Sequence, residues 1–286
     1  MKFTTDRDGR FYYAIGELCH DDFQKSGRVS LWKLAKMCEG SRFRRESISP
    51  EGDWWDGKQV SLFYRSQTFM IYPAFYSQLN RFKKPSVKIV SYLSHIGRTS
   101  YCVDEELFDL MTHEPLARTS YHGVLISQET RRPIKFPPGT AQIYTVIPPR
   151  EDRRPLPDPQ FLKRPFEYFT HRRTVMASDT DINDHFNQTG YLRFCLDCVS
   201  TAAVTGALTA LKKDIAYSNV KKVWIRYVNE VRAGEEVVIS CWQDEKNCHT
   251  IWVELTKGTK VVGHCQLEFY PASATQKLGS MPLAKL

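Results

Sequence analysis

The sequence predicts an α+β chain in which one arrangement occurs twice: a strand, a helix, then a series of antiparallel strands. Three observations predict it. In each half a polar loop is followed by apolar residues at helical spacing. Short alternating or apolar segments then recur between turn signals. A proline-rich stretch divides the 286 residues near the middle.

In the first half, Phe11–Leu18 reads as a strand, Ser26–Ser30 as a loop, and Leu31, Leu34, Ala35 and Cys38 as the buried face of a short helix. Strand candidates resume at Val87–Leu93, Thr99–Leu107, Ala117–His122 and Val124–Ser127. The segment from about Ser47 to Lys84 finds no counterpart later in the chain and reads as an insertion. Its many aromatics, Trp54, Phe63 and Tyr64 among them, suit ordinary packing or a pocket wall.

From Pro133 to Pro165 there are nine prolines. Proline lacks the backbone donor and fixes φ, so this stretch is neither a long helix nor a central strand. It reads as an extended connector.

The second half opens with a strand at Tyr168–Met176, a polar loop at Ser178–Gln188 and a helix from about Gly190. Tyr191, Cys195, Cys198, Val199 and Ala202 form one apolar face of that helix. Strands follow at Val220–Val228, Glu235–Trp242, Thr250–Leu255 and Lys260–Tyr270, the last two joined by a turn at Lys257-Gly258. The expected organisation is therefore 1–132, with the insertion at about 47–84; a connector at 133–165; a second unit at 166–271; and a polar tail at 272–286.

Composition narrows the class. No apolar run approaches the roughly 20 residues that span a bilayer. Met1 to Arg10 is polar and lacks the apolar core of a secretory signal, which predicts a protein that is not secreted. The eight cysteines lie in apolar, periodic segments and read as reduced core thiols, including the Cys195/Cys198 pair. Net charge is +8, carried in small clusters such as Arg42/Arg44/Arg45 and Arg131/Arg132. That pattern reads as a solvated basic surface, suited also to an anionic partner such as CoA phosphates or an acidic carrier protein. No nucleic-acid module is recognisable.

The most informative stretch is Asp179-Thr-Asp181-Ile-Asn183-Asp-His185-Phe-Asn187-Gln-Thr-Gly190-Tyr191-Leu192. It resembles the helix-entry motif of the hotdog thioesterases, and with Asn183 included is most similar to the acyl-ACP thioesterase branch. Asp184 stands where that family often has Gly. The stretch Ile225–Val237, and His95–Ser100 in the first half, resemble the strand–turn–strand hairpins of the same family. The resemblance implies two tandem hotdog folds, each an antiparallel sheet wrapped around a long central helix. It also implies an acidic residue at Glu230 facing the motif from a neighbouring strand.

Thioester hydrolysis needs a base or nucleophile, and donors aimed at the carbonyl oxygen as it gains charge. Asp181, Asn183 and His185 alternate, so an extended segment would project all three to one side. Asp181 supplies the carboxylate; Asn183 and His185 supply donors; the helix that follows offers free N–H groups to an oxyanion. Asn187, Gly190 and Tyr191 are candidates for substrate contact and for shaping the loop and helix start. No cofactor is needed, and no residue set reads as a metal site.

Aligning the halves by their helix starts sets Gln24 against Asp181, Ser26 against Asn183 and Arg28 against His185. A neutral amide takes up no proton near neutral pH, so the first half should be catalytically silent. The expected activity is hydrolysis of a fatty acyl thioester, acyl-CoA more than acyl-ACP. The alternatives are a type-2 enoyl-CoA hydratase, whose motif the Asp181–His185 stretch fits less well, and a non-catalytic acyl-binding protein. Ala284-Lys285-Leu286 is a close variant of the S-K-L peroxisomal address, which predicts an import receptor as partner and leaves the cytoplasm as the other location. A homodimer is left open.

Overall fold

The computed structural model describes residues 2–5, 10–16, 18–46, 59–83, 85–136, 138, 158–211 and 213–271. Ala284-Lys285-Leu286, most of the proline-rich connector and Trp54 lie outside these residues. The elements run β1 (Lys2–Thr5), β2 (Phe11–Ile15), α1 (Leu31–Glu46), β3 (Val60–Ile71), α2 (Pro73–Gln78), β4 (Val87–Ile96), β5 (Ser100–Asp109) and β6 (Pro115–Ser127). After the connector come β7 (Phe169–Thr174), α3 (Gln188–Val204), β8 (Val220–Tyr227), β9 (Glu236–Gln243), β10 (Thr250–Lys257) and β11 (Lys260–Phe269).

All eleven strands form one antiparallel sheet in the order β1-β2-β4-β5-β6-β3-β8-β11-β10-β9-β7. Read outward from the centre, β3-β6-β5-β4-β2 mirrors β8-β11-β10-β9-β7. The halves meet where β3 pairs with β8, in the register Ser66↔Arg226 to Met70↔Lys222.

This topology corrects the reading of 47–84 as an insertion without a counterpart. Val60–Ile71 is the first-half equivalent of β8 and one of the two central strands. Its middle is polar, which hides a buried strand from a search for apolar runs. Tertiary contacts satisfy it instead: Gln67 Nε2 donates to Thr119 Oγ1 (3.2 Å) and Ser66 Oγ to Asp158 Oδ1 (3.0 Å). The two candidates at Ala117–His122 and Val124–Ser127 are a single strand, β6.

Helix α3 buries the expected face, with Tyr191, Cys195, Cys198, Val199 and Ala202 all in the core. Leu31, Leu34, Ala35 and Cys38 of α1 are likewise buried, but that helix continues to Glu46 and its later turns bury Ser41, Arg42 and Arg45. Arg42 and Arg45 are thus not surface charges. Arg42 pairs with Glu105 of β5 at 3.1 Å, and the two side chains are 3% and 0% exposed. A charge so far from water is tolerated only with such a partner.

On the opposite face of the sheet lies the end of the connector. Trp224 Nε1 donates to Asp158 Oδ1 (2.8 Å), and the Phe161 ring stacks on His264 with centroids 3.7 Å apart. Cys195 and Cys198 are buried and unbridged, and burial pushes the Cys195 thiol well up, so neither is placed as a nucleophile. No helix among the described residues is long and apolar enough to cross a membrane.

Candidate active site

The loop before α3 is closed on itself rather than extended. Asp181 N–H donates to the His185 carbonyl (2.8 Å) and Asp184 N–H to the Asp181 carbonyl (3.1 Å). The Asp181 carboxylate then accepts from the backbone N–H of Asn183 (2.8 Å) and of His185 (3.2 Å), both at Oδ1. Alternation along a strand is therefore not what brings Asp181, Asn183 and His185 together; a tight turn does so. The turn needs a left-handed residue, and Asp184 supplies it with φ 60°. Aspartate visits that region more readily than most non-glycine residues, which accounts for its tolerance where the resembling family has Gly.

The loop is fixed to the sheet from both sides. Phe186 N–H donates to the Val231 carbonyl (2.7 Å) and Tyr191 OH to the Asn229 carbonyl (2.9 Å). These bonds bring the turn after β8 over the start of α3. Glu230 then stands beside the motif, its Oε2 3.5 Å from His185 Nε2. Its Oε1 accepts from Arg131, which follows β6 in the first half.

Asp181, Asn183, His185 and Glu230 all line one cavity of about 350 Å³, together with Gln188, Tyr191, Tyr227, Tyr64 and Arg131. Within this cavity Asp181 supplies a carboxylate. Asn183 and His185 offer donors, and Gln188 opens α3 at the rim.

Asn187 and Gly190 are not among the residues lining this cavity; the contacts given for them hold the loop and the start of α3. Asn187 caps α3: its Oδ1 accepts from Thr189 N–H (2.8 Å) and Thr189 Oγ1 (2.7 Å), while its Nδ2 donates to Glu39 of α1 (2.6 Å). The cap thereby ties the two helices together. Gly190 is required by a close approach, since a Cβ there would lie 2.4 Å from the Phe186 ring. Tyr191 does line the cavity, and burial raises its phenol pKa.

Among the lining residues, sequence reasoning assigned neither Arg131 nor Tyr227 to a pocket, and offered Tyr64 only as a packing or pocket-wall residue. Each is brought in by strand pairing across the chain, and no local motif marks them.

The first-half loop repeats the same backbone. Gln24 N–H donates to the Arg28 carbonyl (2.9 Å) and Gly27 N–H to the Gln24 carbonyl (2.7 Å), with Gly27 at φ 77°. Gln24, Ser26 and Arg28 thus occupy the positions of Asp181, Asn183 and His185. Their side chains are put to other use: Gln24 Nε2 donates to the Ala216 carbonyl (3.1 Å) and Arg28 Nη1 to Asn219 Oδ1 (2.7 Å).

Residues 162–266 match the model of the acyl-ACP thioesterase C-terminal domain. Among solved structures, an acyl-ACP thioesterase from Bacteroides thetaiotaomicron is 16% identical with a TM-score of 0.70, the match covering 91% of this chain and 98% of that one. The 12:0-ACP thioesterase from Umbellularia californica is 14% identical with a TM-score of 0.70, covering 92% and 97%. At such identities these structures speak for the fold. No curated protein sequence matches the chain. The matched segment and the fold together support a hotdog-fold acyl thioesterase. The protein is a thioester hydrolase.

Proposed function

We propose that the protein hydrolyses a fatty acyl thioester, acyl-CoA in preference to acyl-ACP, at a single site in its second half. The observation that carries this reading is the convergence of Asp181, Asn183, His185 and Glu230 on one cavity. The mirrored strand order supports two tandem hotdog units, at 1–132 and 166–271, around α1 and α3 respectively. Only the second has a carboxylate at the position of Asp181, where the first has Gln24.

In this reading the thioester carbonyl sits over the start of α3. The Asn183 amide and the Gln188 N–H face the oxygen that gains charge. Asp181 accepts a proton from water as the water oxygen attacks the carbonyl carbon. The tetrahedral intermediate then collapses with cleavage of the C–S bond, and the proton held at Asp181 passes to the departing thiolate. The products are a free acid and a free thiol. His185, paired with Glu230, orients the water and donates to the developing oxyanion.

The preference for CoA esters rests on Ala284-Lys285-Leu286, which would direct the protein to peroxisomes, where fatty acids are carried on CoA. The test is a matched pair of substrates, one acyl chain on CoA and on carrier protein, with free thiol measured for each. Higher kcat/KM for the CoA ester supports the reading, and higher kcat/KM for the carrier-bound ester overturns it.

A further inference from the structure

The cavity contains one charged side chain from the half whose own loop is inert. We propose that Arg131 is a positioning residue for hydrolysis: it orients Glu230, and through Glu230 it orients His185. The inference rests on the assignment of the site to Asp181, His185 and Glu230.

The geometry is that of a relay across the two halves. Arg131 Nη2 donates to Glu230 Oε1, while the other carboxylate oxygen, Oε2, faces His185 Nε2 at 3.5 Å. One carboxylate is thus divided between a guanidinium and an imidazole. Without the guanidinium, Glu230 is free to rotate, because it sits in a turn after β8 and its side chain is 36% exposed. Arg131 itself is held from its backbone. The chain leaves β6 and returns, with Ser127 N–H donating to the Arg132 carbonyl (3.0 Å) and Ile134 N–H to the Leu125 carbonyl (2.9 Å). Within that return Arg131 N–H donates to the Ser127 carbonyl (2.9 Å), and Arg131 adopts φ 56°. A non-glycine residue held in the left-handed region marks a position that the surrounding bonds over-determine. The direction of the side chain, toward the second half, follows from that turn.

The pair also explains how a half with Gln24 at the position of Asp181 still contributes to the reaction. Its last strand ends at the rim of the other half's cavity, and its arginine completes the set of charges there. Arg131 reaches the reacting atoms through Glu230, so its loss should lower the rate without abolishing it. A charge-assisted hydrogen bond of this exposure corresponds to roughly tenfold in rate.

The experiment uses the full chain with acyl-CoA thioesters of several chain lengths, comparing Arg131→Met, Arg131→Lys, Glu230→Gln, the Arg131→Met/Glu230→Gln double variant and Asp181→Asn. Arg131→Met should lower kcat about tenfold with KM little changed, and Arg131→Lys should recover most of that loss. In the Glu230→Gln background, Arg131→Met should have no further effect, because its only route to the reaction has been removed. A loss of the same size in that background would overturn the proposal, since Arg131 would then act independently of Glu230. A raised KM with unchanged kcat would overturn it too, by making Arg131 an anchor for the CoA phosphates. Failure of the site assignment is separately visible: Asp181→Asn and Glu230→Gln would then both turn over normally.

Discussion

The backbone N–H of Asp181 donates to the carbonyl of His185 across 2.8 Å, and this one bond makes the polar loop a closed turn. The Asp181 carboxylate reinforces the turn from inside, accepting the N–H groups of Asn183 and His185 at one oxygen. The same residue therefore shapes the loop and lines the cavity. In the first half the equivalent bond joins Gln24 to Arg28 (2.9 Å), so the two halves share one loop frame with different side chains.

The two loops should answer mutation differently. Asn183→Ala and His185→Ala should cut kcat/KM by roughly 10- to 1,000-fold, as donors to a developing oxyanion do. Gln24→Ala and Arg28→Ala should leave it within about threefold, and lower the melting temperature instead, because each breaks a hydrogen bond worth about 1 kcal/mol between the halves. Steady-state kinetics and thermal unfolding of the four variants distinguish these outcomes. Comparable rate losses from both loops would mean a composite site.

Gly190→Ala tests the packing of the loop on α3. The added methyl meets the Phe186 ring at a distance no side chain tolerates, so the ring must move. Overpacking of this kind costs about 1–3 kcal/mol. Phe186 lines the cavity, so the melting temperature and kcat should fall together. An unchanged melting temperature would show that the ring yields freely.

Much of the fold and of the site was legible in the sequence, for a physical reason. Asp181, Asn183 and His185 lie within five residues, and their strand–loop–helix context is local, so periodicity and turn chemistry expose it. Glu230 was reachable only through the resemblance. Arg131 was read as part of a basic surface pair, because nothing around it in the chain reveals that β6 ends beside β8. Val60–Ile71 was misread for a related reason. Ser66, Gln67 and Thr68 look unsuited to a central strand until the partners that satisfy them, Asp158 and Thr119, are in place.

The hairpin that carries Glu230 should impose a pH dependence on stability. Lys257 Nζ donates to both oxygens of Glu235 (3.0 and 2.9 Å), and this bond holds the Glu235 carboxyl below its ordinary value. A depressed carboxylate contributes stability above the ordinary value and loses it as pH falls through the folded one. Lys257→Gln should therefore lower the melting temperature slightly near pH 7, and the difference should shrink as pH falls through the lowered folded pKa and the carboxylate becomes protonated in both states. Glu235 is well exposed, so the effect should be small and should shrink at high salt. A difference between the two proteins that did not shrink on acidification would contradict this origin.

If Ala284-Lys285-Leu286 directs import, a fluorescent protein fused ahead of the chain should be found in peroxisomes. Two further residues placed after Leu286 should release it to the cytosol while leaving hydrolysis unchanged. A diffuse distribution of the intact protein would remove the support for a CoA ester.

The central claim is that Asp181 is the carboxylate on which hydrolysis depends. Asp181→Asn is the most direct test, because it removes the basic carboxylate and retains a carbonyl oxygen for the N–H groups of Asn183 and His185. Single-turnover hydrolysis of an acyl-CoA by this variant should be slower than that of the unaltered protein by roughly 10²–10⁴-fold, with the melting temperature little changed. A single-turnover rate within a few-fold of the unaltered protein would contradict the account.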